Sequence, residues 1–217
     1  MKMRSIKSYF SRINPTPIST WVWFIVTILT IAVFTSLGPA EASLGNHIRI
    51  VYLHGAWVWA SITAFLIAGV CGGIGLLTRR QAFHCWSSAF GRTGLFFWIT
   101  YLPLSLWAMQ SNWNGLFLAE PRWRLALVFA ISGLMLQTGL SLANKPILTS
   151  AFNLGYFILL MITLQNTANV MHPASPILNS NAWRIQFFFF GLVLLTIFAA
   201  WQMAKWWYKG ESNCVSR

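Results

Sequence analysis

Carboxylates are almost missing from this chain: of 217 residues only Glu41, Glu120 and Glu211 are acidic, against fifteen lysines and arginines. A hydrolytic site needs a nucleophile, a base and an orienting group, and there is little here to build one from. The paired intramembrane carboxylates of proton-coupled transport are absent too. Cysteine is scarce: Cys71, Cys85 and Cys214 form no CxxC and no CxxCH, which excludes a thioredoxin-like redox pair and a covalent haem-attachment motif and leaves a structural or incidental role. No Walker-type P-loop occurs, so ATP-driven chemistry is excluded as well. Binding and handing over remain, and the chain is not expected to be an enzyme.

Charged residues of both signs make up only 8% of the chain while 57% is hydrophobic, whereas a soluble domain carries roughly 25% charged residues. An integral membrane protein follows. Six apolar runs have the length needed to cross a ~30 Å hydrocarbon core, at about 21–37, 50–77, 88–109, 125–142, 147–167 and 185–204. The runs are unbroken rather than alternating, so they predict helices and not barrel strands, and helices satisfy their own backbone in lipid. The expectation is an all-α bundle of six transmembrane helices forming a single domain over residues 1–217. Pro103 is expected to kink the third helix.

A net charge of +12 is the balance of a nucleic-acid binder, but most basic residues stand singly or in pairs at the ends of apolar runs. That placement controls topology, and it points to membrane lipid rather than nucleic acid as partner. Lys2, Arg4, Lys7, Arg12, Arg79, Arg80, Lys145, Lys205, Lys209 and Arg217 fall on one side, and Arg49, Arg122, Arg124 and Arg184 on the other. The positive-inside bias then puts both termini in the cytoplasm and segments 38–49, 110–124 and 168–184 outside. Ala40-Glu41-Ala42 is similar to a signal-peptidase site; cleavage after Ala42 would leave five helices in the same orientation.

The stretch Trp107 to Arg124, W-A-M-Q-S-N-W-N-G-L-F-L-A-E-P-R-W-R, is the only one that combines Trp, a carboxylate and Arg. Trp113, Phe117 and Trp123 offer flat faces and Arg122 and Arg124 offer donors, a combination suited to a flat anionic ligand such as haem. The four outer arginines also fit a plainer role as snorkelling anchors. His54, inside the second run, and His172, after the fifth, fall at the same membrane face, and imidazoles at like depth on two elements can be the two axial ligands of one haem iron. A polar anchor at the interface is the other reading of each. His47, among Ser43, Gly45 and Asn46, reads as part of a flexible outer loop. His84, in T-R-R-Q-A-F-H-C-W, reads as a solvated loop residue at the opposite face, too poor in neighbouring ligands for a metal site.

The segment R-I-V-Y-L-H-G-A-W-V-W, Arg49 to Trp59, resembles the Arg-x-x-Tyr-x-His-x-x-x-x-Trp start of the second helix in the CcmC-type (CcmC/CcsA) haem-handling proteins of cytochrome c maturation. Arg49, Tyr52, His54 and Trp59 match in place. The loop W-N-G-L-F-L-A-E-P-R is similar to that family's W-G-x-W-W-x-W-D-x-R signature, from Trp113 through Glu120 to Arg122. It departs from it at Leu116, Phe117, Ala119 and Glu120. The family's second haem-ligating His is matched by His172, although Gln165 and Asn166 stand where the family has paired Trp. The resemblance implies non-covalent haem b at the outer, periplasmic face of a bacterial inner membrane. His54 and His172 would be its axial ligands, with Trp113, Phe117, Glu120, Arg122, Arg49 and Trp59 around it. Partners implied are a periplasmic haem chaperone and the other membrane subunits of cytochrome c maturation. A b-type electron-transfer subunit and a haem-less structural subunit are the competing classes.

Overall fold

The computed structural model describes residues 20–168, 177 and 181–210. Among these it is all-helical, in the order α1 (Thr20–Ser36), α2 (Ile48–Thr78), α3 (Gln81–Trp113), α4 (Pro121–Ala143), α5 (Pro146–Asn166) and α6 (Trp183–Gly210). The helices α2, α4, α5 and α6 are long and apolar enough to cross a membrane. Six runs long enough to cross were expected, and two of the six helices fall short of that measure. At 17 residues α1 is a shorter apolar helix. At 33 residues α3 is the longest, but it buries His84, Ser87, Ser88, Thr93 and Ser105 and is not among the helices apolar enough over their length to cross.

The central pair is α2 with α3. Against it pack α5 on one flank and α6 on the other, with α4 beyond α3 and α5, and α1 beyond α6. One core joins Tyr52, Ala56, Ala60, Phe97, Phe189 and Leu192, and a second joins Phe65, Leu95, Trp98, Tyr101, Phe129 and Leu160. Lipid provides no hydrophobic drive between helices, so close backbone approach and interhelical hydrogen bonds carry the association. Ser61 donates to the Gly94 carbonyl at 2.7 Å, joining α2 to α3. The Trp57 indole donates to Thr100 at 2.9 Å, and the Trp98 indole to the Ala126 carbonyl of α4 at 3.0 Å. Thr27, Thr35 and Thr93 return their hydroxyls to the carbonyl four residues earlier, which lets a polar residue sit in an apolar helix without an orphaned donor.

The α2–α3 connection is tighter than the apolar pattern implies. Arg79 caps α2 in the left-handed region (φ 56°), its N–H donating to the Gly75 carbonyl, and α3 begins two residues later. His84 is therefore not a solvated loop residue. It is 3% exposed and its Nδ1 lies 2.7 Å from the Ser150 hydroxyl of α5. One helical turn further along α3, Asn153 of α5 donates to the Ser87 carbonyl at 2.9 Å and accepts from Gln137 of α4 at 2.7 Å. A polar thread thus crosses three helices at this end. Cys85 lies beside it and is disulfide-bonded, and Cys71 is a free thiol. The helix assignment of α3 continues through Pro103, which is exposed.

Candidate functional site at the His54 end

Connections by short loops place the α1–α2 turn, the α3–α4 loop and the start of α6 at one end of the bundle. The α1–α2 turn is ordered rather than loose. Glu41 accepts from the Ser43 amide and hydroxyl and from the Leu44 amide, and Gly45 takes the positive φ of 54° that closes the turn. The Ser43 hydroxyl, then the Leu44 amide, hold the Glu41 carboxyl below its ordinary value. His47 follows as the exposed N-cap of α2 without a side-chain capping bond.

Arg49 and Tyr52 lace this turn to α2. The Arg49 Nε donates to the Gly38 carbonyl at 3.0 Å, and the Tyr52 hydroxyl, on a side chain that is fully buried, to the Pro39 carbonyl at 3.1 Å. Two of the four matched motif positions therefore hold backbone in place. The guanidinium has five donors, so one bond from Nε leaves the outer fork able to meet an anion.

His54 lies six residues past the start of α2, about 9 Å along its axis. It is half-buried and its ring packs on Tyr101 of α3, with centroids 5.4 Å apart and planes at 53°. Tyr101 sits on a buried face of α3 with Trp98, Ser105 and Met109. That three-to-four-residue spacing marks one side of a helix, a signal present in the sequence but hidden by the surrounding apolar run.

The α3–α4 loop folds back towards the same point. From the level set by the Trp98–Ala126 bond, α3 runs 15 residues onward to Trp113 while α4 starts five residues before Ala126. At 1.5 Å per residue, α3 overtops α4 by about 15 Å. The loop must descend that distance, and its last residue, Glu120, arrives 4% exposed, six residues before Ala126 on the side of the Trp98–Ala126 bond on which Tyr101 also lies. His54, Tyr101 and Glu120 thus join the second-helix motif and the Trp-containing loop in one place.

The other sequence-derived positions divide. Glu120 caps α4: its Oε2 accepts from the Trp123 amide at 2.6 Å, with Pro121 at the first helical position. The free N–H groups of a first turn and the positive helix end both attract a carboxylate. Its Oε1 is buried with no hydrogen-bond partner. Arg122 is half-buried in that first turn. Trp113 and Phe117 do not form a flat platform: their rings meet edge to face, 5.6 Å apart at 77°, the geometry that ring quadrupoles favour. Trp123 is half-buried and Arg124 donates to the Leu118 carbonyl at 3.2 Å. Trp59 is 39% exposed. Five residues at 100° put it well round the helix from His54, and Trp57 is the one that turns inward. His172 lies outside the described residues.

Capping by Glu120 sets an expected result. Replacing it with Ala should lower the unfolding temperature in detergent by the loss of a cap, about 1 kcal/mol, whereas Gln, which keeps an acceptor, should lose little; equal losses would mean that the charge rather than the cap matters.

Charge is split between the ends. The His54 end carries Glu41 and Glu120 with Arg49, Arg122, Arg124 and Arg184, whereas the other carries Arg79, Arg80, Arg92, Lys145, Lys205 and Lys209 and, among the described residues, no carboxylate. Also among the described residues, no group of three His, Cys, Asp or Glu could hold a bare metal ion. No family model, curated protein or solved structure matches this chain.

Proposed function

We propose that this chain is a membrane haem-binding and haem-delivery factor of cytochrome c-type biogenesis, not an enzyme, presenting haem at the outer face through its His54 end. The reading includes six spans with both termini cytoplasmic, and it is supported by the opposite end, which among the described residues carries basic side chains and no carboxylate. The observation that carries it is the convergence of His54, Tyr101 and Glu120, which unites the two segments where the sequence resembles CcmC-type proteins. The donor set fits the group. His54 offers an imidazole at a half-buried depth with its ring braced by Tyr101, and Arg49 stands five residues nearer the rim, its Nε bonded to the Gly38 carbonyl and its remaining donors of the kind that suit anions such as propionates. His172 would be the second ligand.

Bound iron would supply a centre whose affinity and potential depend on its axial ligands and on the polarity around them. The chain's own residues would orient and release. Tyr101 limits rotation of the His54 ring, Phe117 at 40% exposure offers an apolar face at the rim, and the open side of the loop allows transfer to a periplasmic chaperone and the other maturation subunits.

A haem-less structural subunit is the second reading, favoured by the structural duties of Arg49, Tyr52 and Glu120. An absorption spectrum separates the two. Purified protein incubated with haem and freed of excess should keep a Soret band in roughly one-to-one ratio with the chain; no retained band would leave the structural reading standing.

A further inference from the structure

Away from the His54 end, α3, α4 and α6 leave a groove of about 370 Å³ lined by Arg92, Leu95, Phe96, Ile99, Gln137, Thr138, Ser141 and Trp207. That volume lies within the ~300–1,000 Å³ of small-molecule sites. The lining is apolar except at one end. Arg92, Leu95, Phe96 and Ile99 follow the i, i+3, i+4, i+7 spacing of a single helix face, so the apolar side chains stand about 4–10 Å above the guanidinium along α3.

The Arg92 side chain, from a position eleven residues into α3, brings its guanidinium to the level of the ends of α4 and α6. Its guanidinium donates to the Ser141 hydroxyl at 3.4 Å and stands 5.4 Å from the Trp207 ring centroid. Ser141 is two residues from the end of α4 and Trp207 three from the end of α6. In a bilayer this is the depth of the headgroup boundary, and Leu95, Phe96 and Ile99 reach from there towards the midplane. A guanidinium over an indole face is held in orientation by cation–π attraction, and its planar fork matches phosphate oxygens bidentately. Among the described residues, the ends of α2, α4 and α6 around it add only positive charge, through Arg79, Arg80, Lys145, Lys205 and Lys209.

We infer that this groove is a binding site for one anionic phospholipid, its phosphate on Arg92 and Ser141 and the upper part of an acyl chain along Leu95, Phe96 and Ile99. The inference does not depend on haem binding. Charge complementarity chooses the occupant: a zwitterionic lipid brings its own cation into an end of the bundle that is already basic, whereas anionic headgroups are attracted to basic residues near the membrane surface.

The test uses the full chain, purified in mild detergent and stripped of lipid, with phosphatidylglycerol or phosphatidylcholine added back. Native mass spectrometry counts retained lipid and thermal unfolding reads stabilisation. Wild type should keep one phosphatidylglycerol and unfold at higher temperature with it, and phosphatidylcholine should do neither. Arg92→Gln should weaken retention by about tenfold. Thr138→Trp, which fills the groove but keeps Arg92, should also lose the lipid, and Arg79→Gln at the helix end should keep it. Equal retention of both lipids by wild type, unchanged retention in Arg92→Gln or Thr138→Trp, or an equal thermal shift with inorganic phosphate would overturn the site.

Discussion

Replacing His54 with Ala should remove the Soret band of haem-loaded protein or shift it to that of a five-coordinate centre, with affinity reduced at least about tenfold, ~1.4 kcal/mol. The expectation follows from the geometry around the ring. His54 is half-buried, with Tyr101 across one face at 5.4 Å, so truncation leaves a gap that solvent can enter and no other imidazole at that depth among the described residues. Tyr101 makes the test sharper. The contact is between the two rings, so Tyr101→Phe should keep the spectrum and Tyr101→Ala should broaden or weaken it. A wild-type spectrum in both His54→Ala and His172→Ala would remove the proposed ligands even if haem were present. Retention in His54→Ala with a change in Tyr101→Phe would point to ligation by the phenol.

Placing Ala at Gly72 should destabilise the bundle by about 1–3 kcal/mol, the cost of overpacking a well-filled contact. A β-carbon there would stand 2.6 Å from the Ser150 carbonyl oxygen and 3.1 Å from the Ser87 hydroxyl. Because the nearest atom belongs to the α5 backbone, no side-chain rotation relieves the clash and the helices must part. Parting them also pulls Ser150 from His84 and Asn153 from Ser87, leaving polar groups unsatisfied in an apolar surrounding. Gly155, where an added β-carbon meets nothing within 4 Å, is the control: Gly155→Ala should be neutral or slightly stabilising, since Ala is the better helix former. Equal thermal unfolding of the two variants would disprove tight α2–α5 contact.

The contrast between these two glycines, with the same residue type and both in helices, shows where reading a sequence stops. The helical class and the approximate limits of the helices were legible because apolar runs in lipid have one way to satisfy their backbone. Errors gathered at α3. Its polar residues broke the apolar pattern, so its first seven residues, with His84, read as loop; in the bundle His84, Cys85 and Ser87 are buried, and His84 and Ser87 bond to α5. Arg92, lying inside a run rather than at its end, escaped notice for the same reason.

At the His54 end, residue types were legible and their assignments only partly so. His54, Glu120 and the Trp-containing loop do belong to one region, because short connections at alternate ends leave few places for them. Which carboxylate oxygen meets which donor is another matter: Glu120 turns to the Trp123 amide because it precedes α4 immediately, and Trp57 rather than Trp59 faces inward because α3 lies on that side. Composition and run length by themselves determined a basic, helical chain with apolar runs of membrane-crossing length and its charges gathered near the helix ends. Only the tertiary structure decided which polar groups are buried and what they bond, since burial depends on the neighbouring helix and a single chain position carries no record of which helix that is.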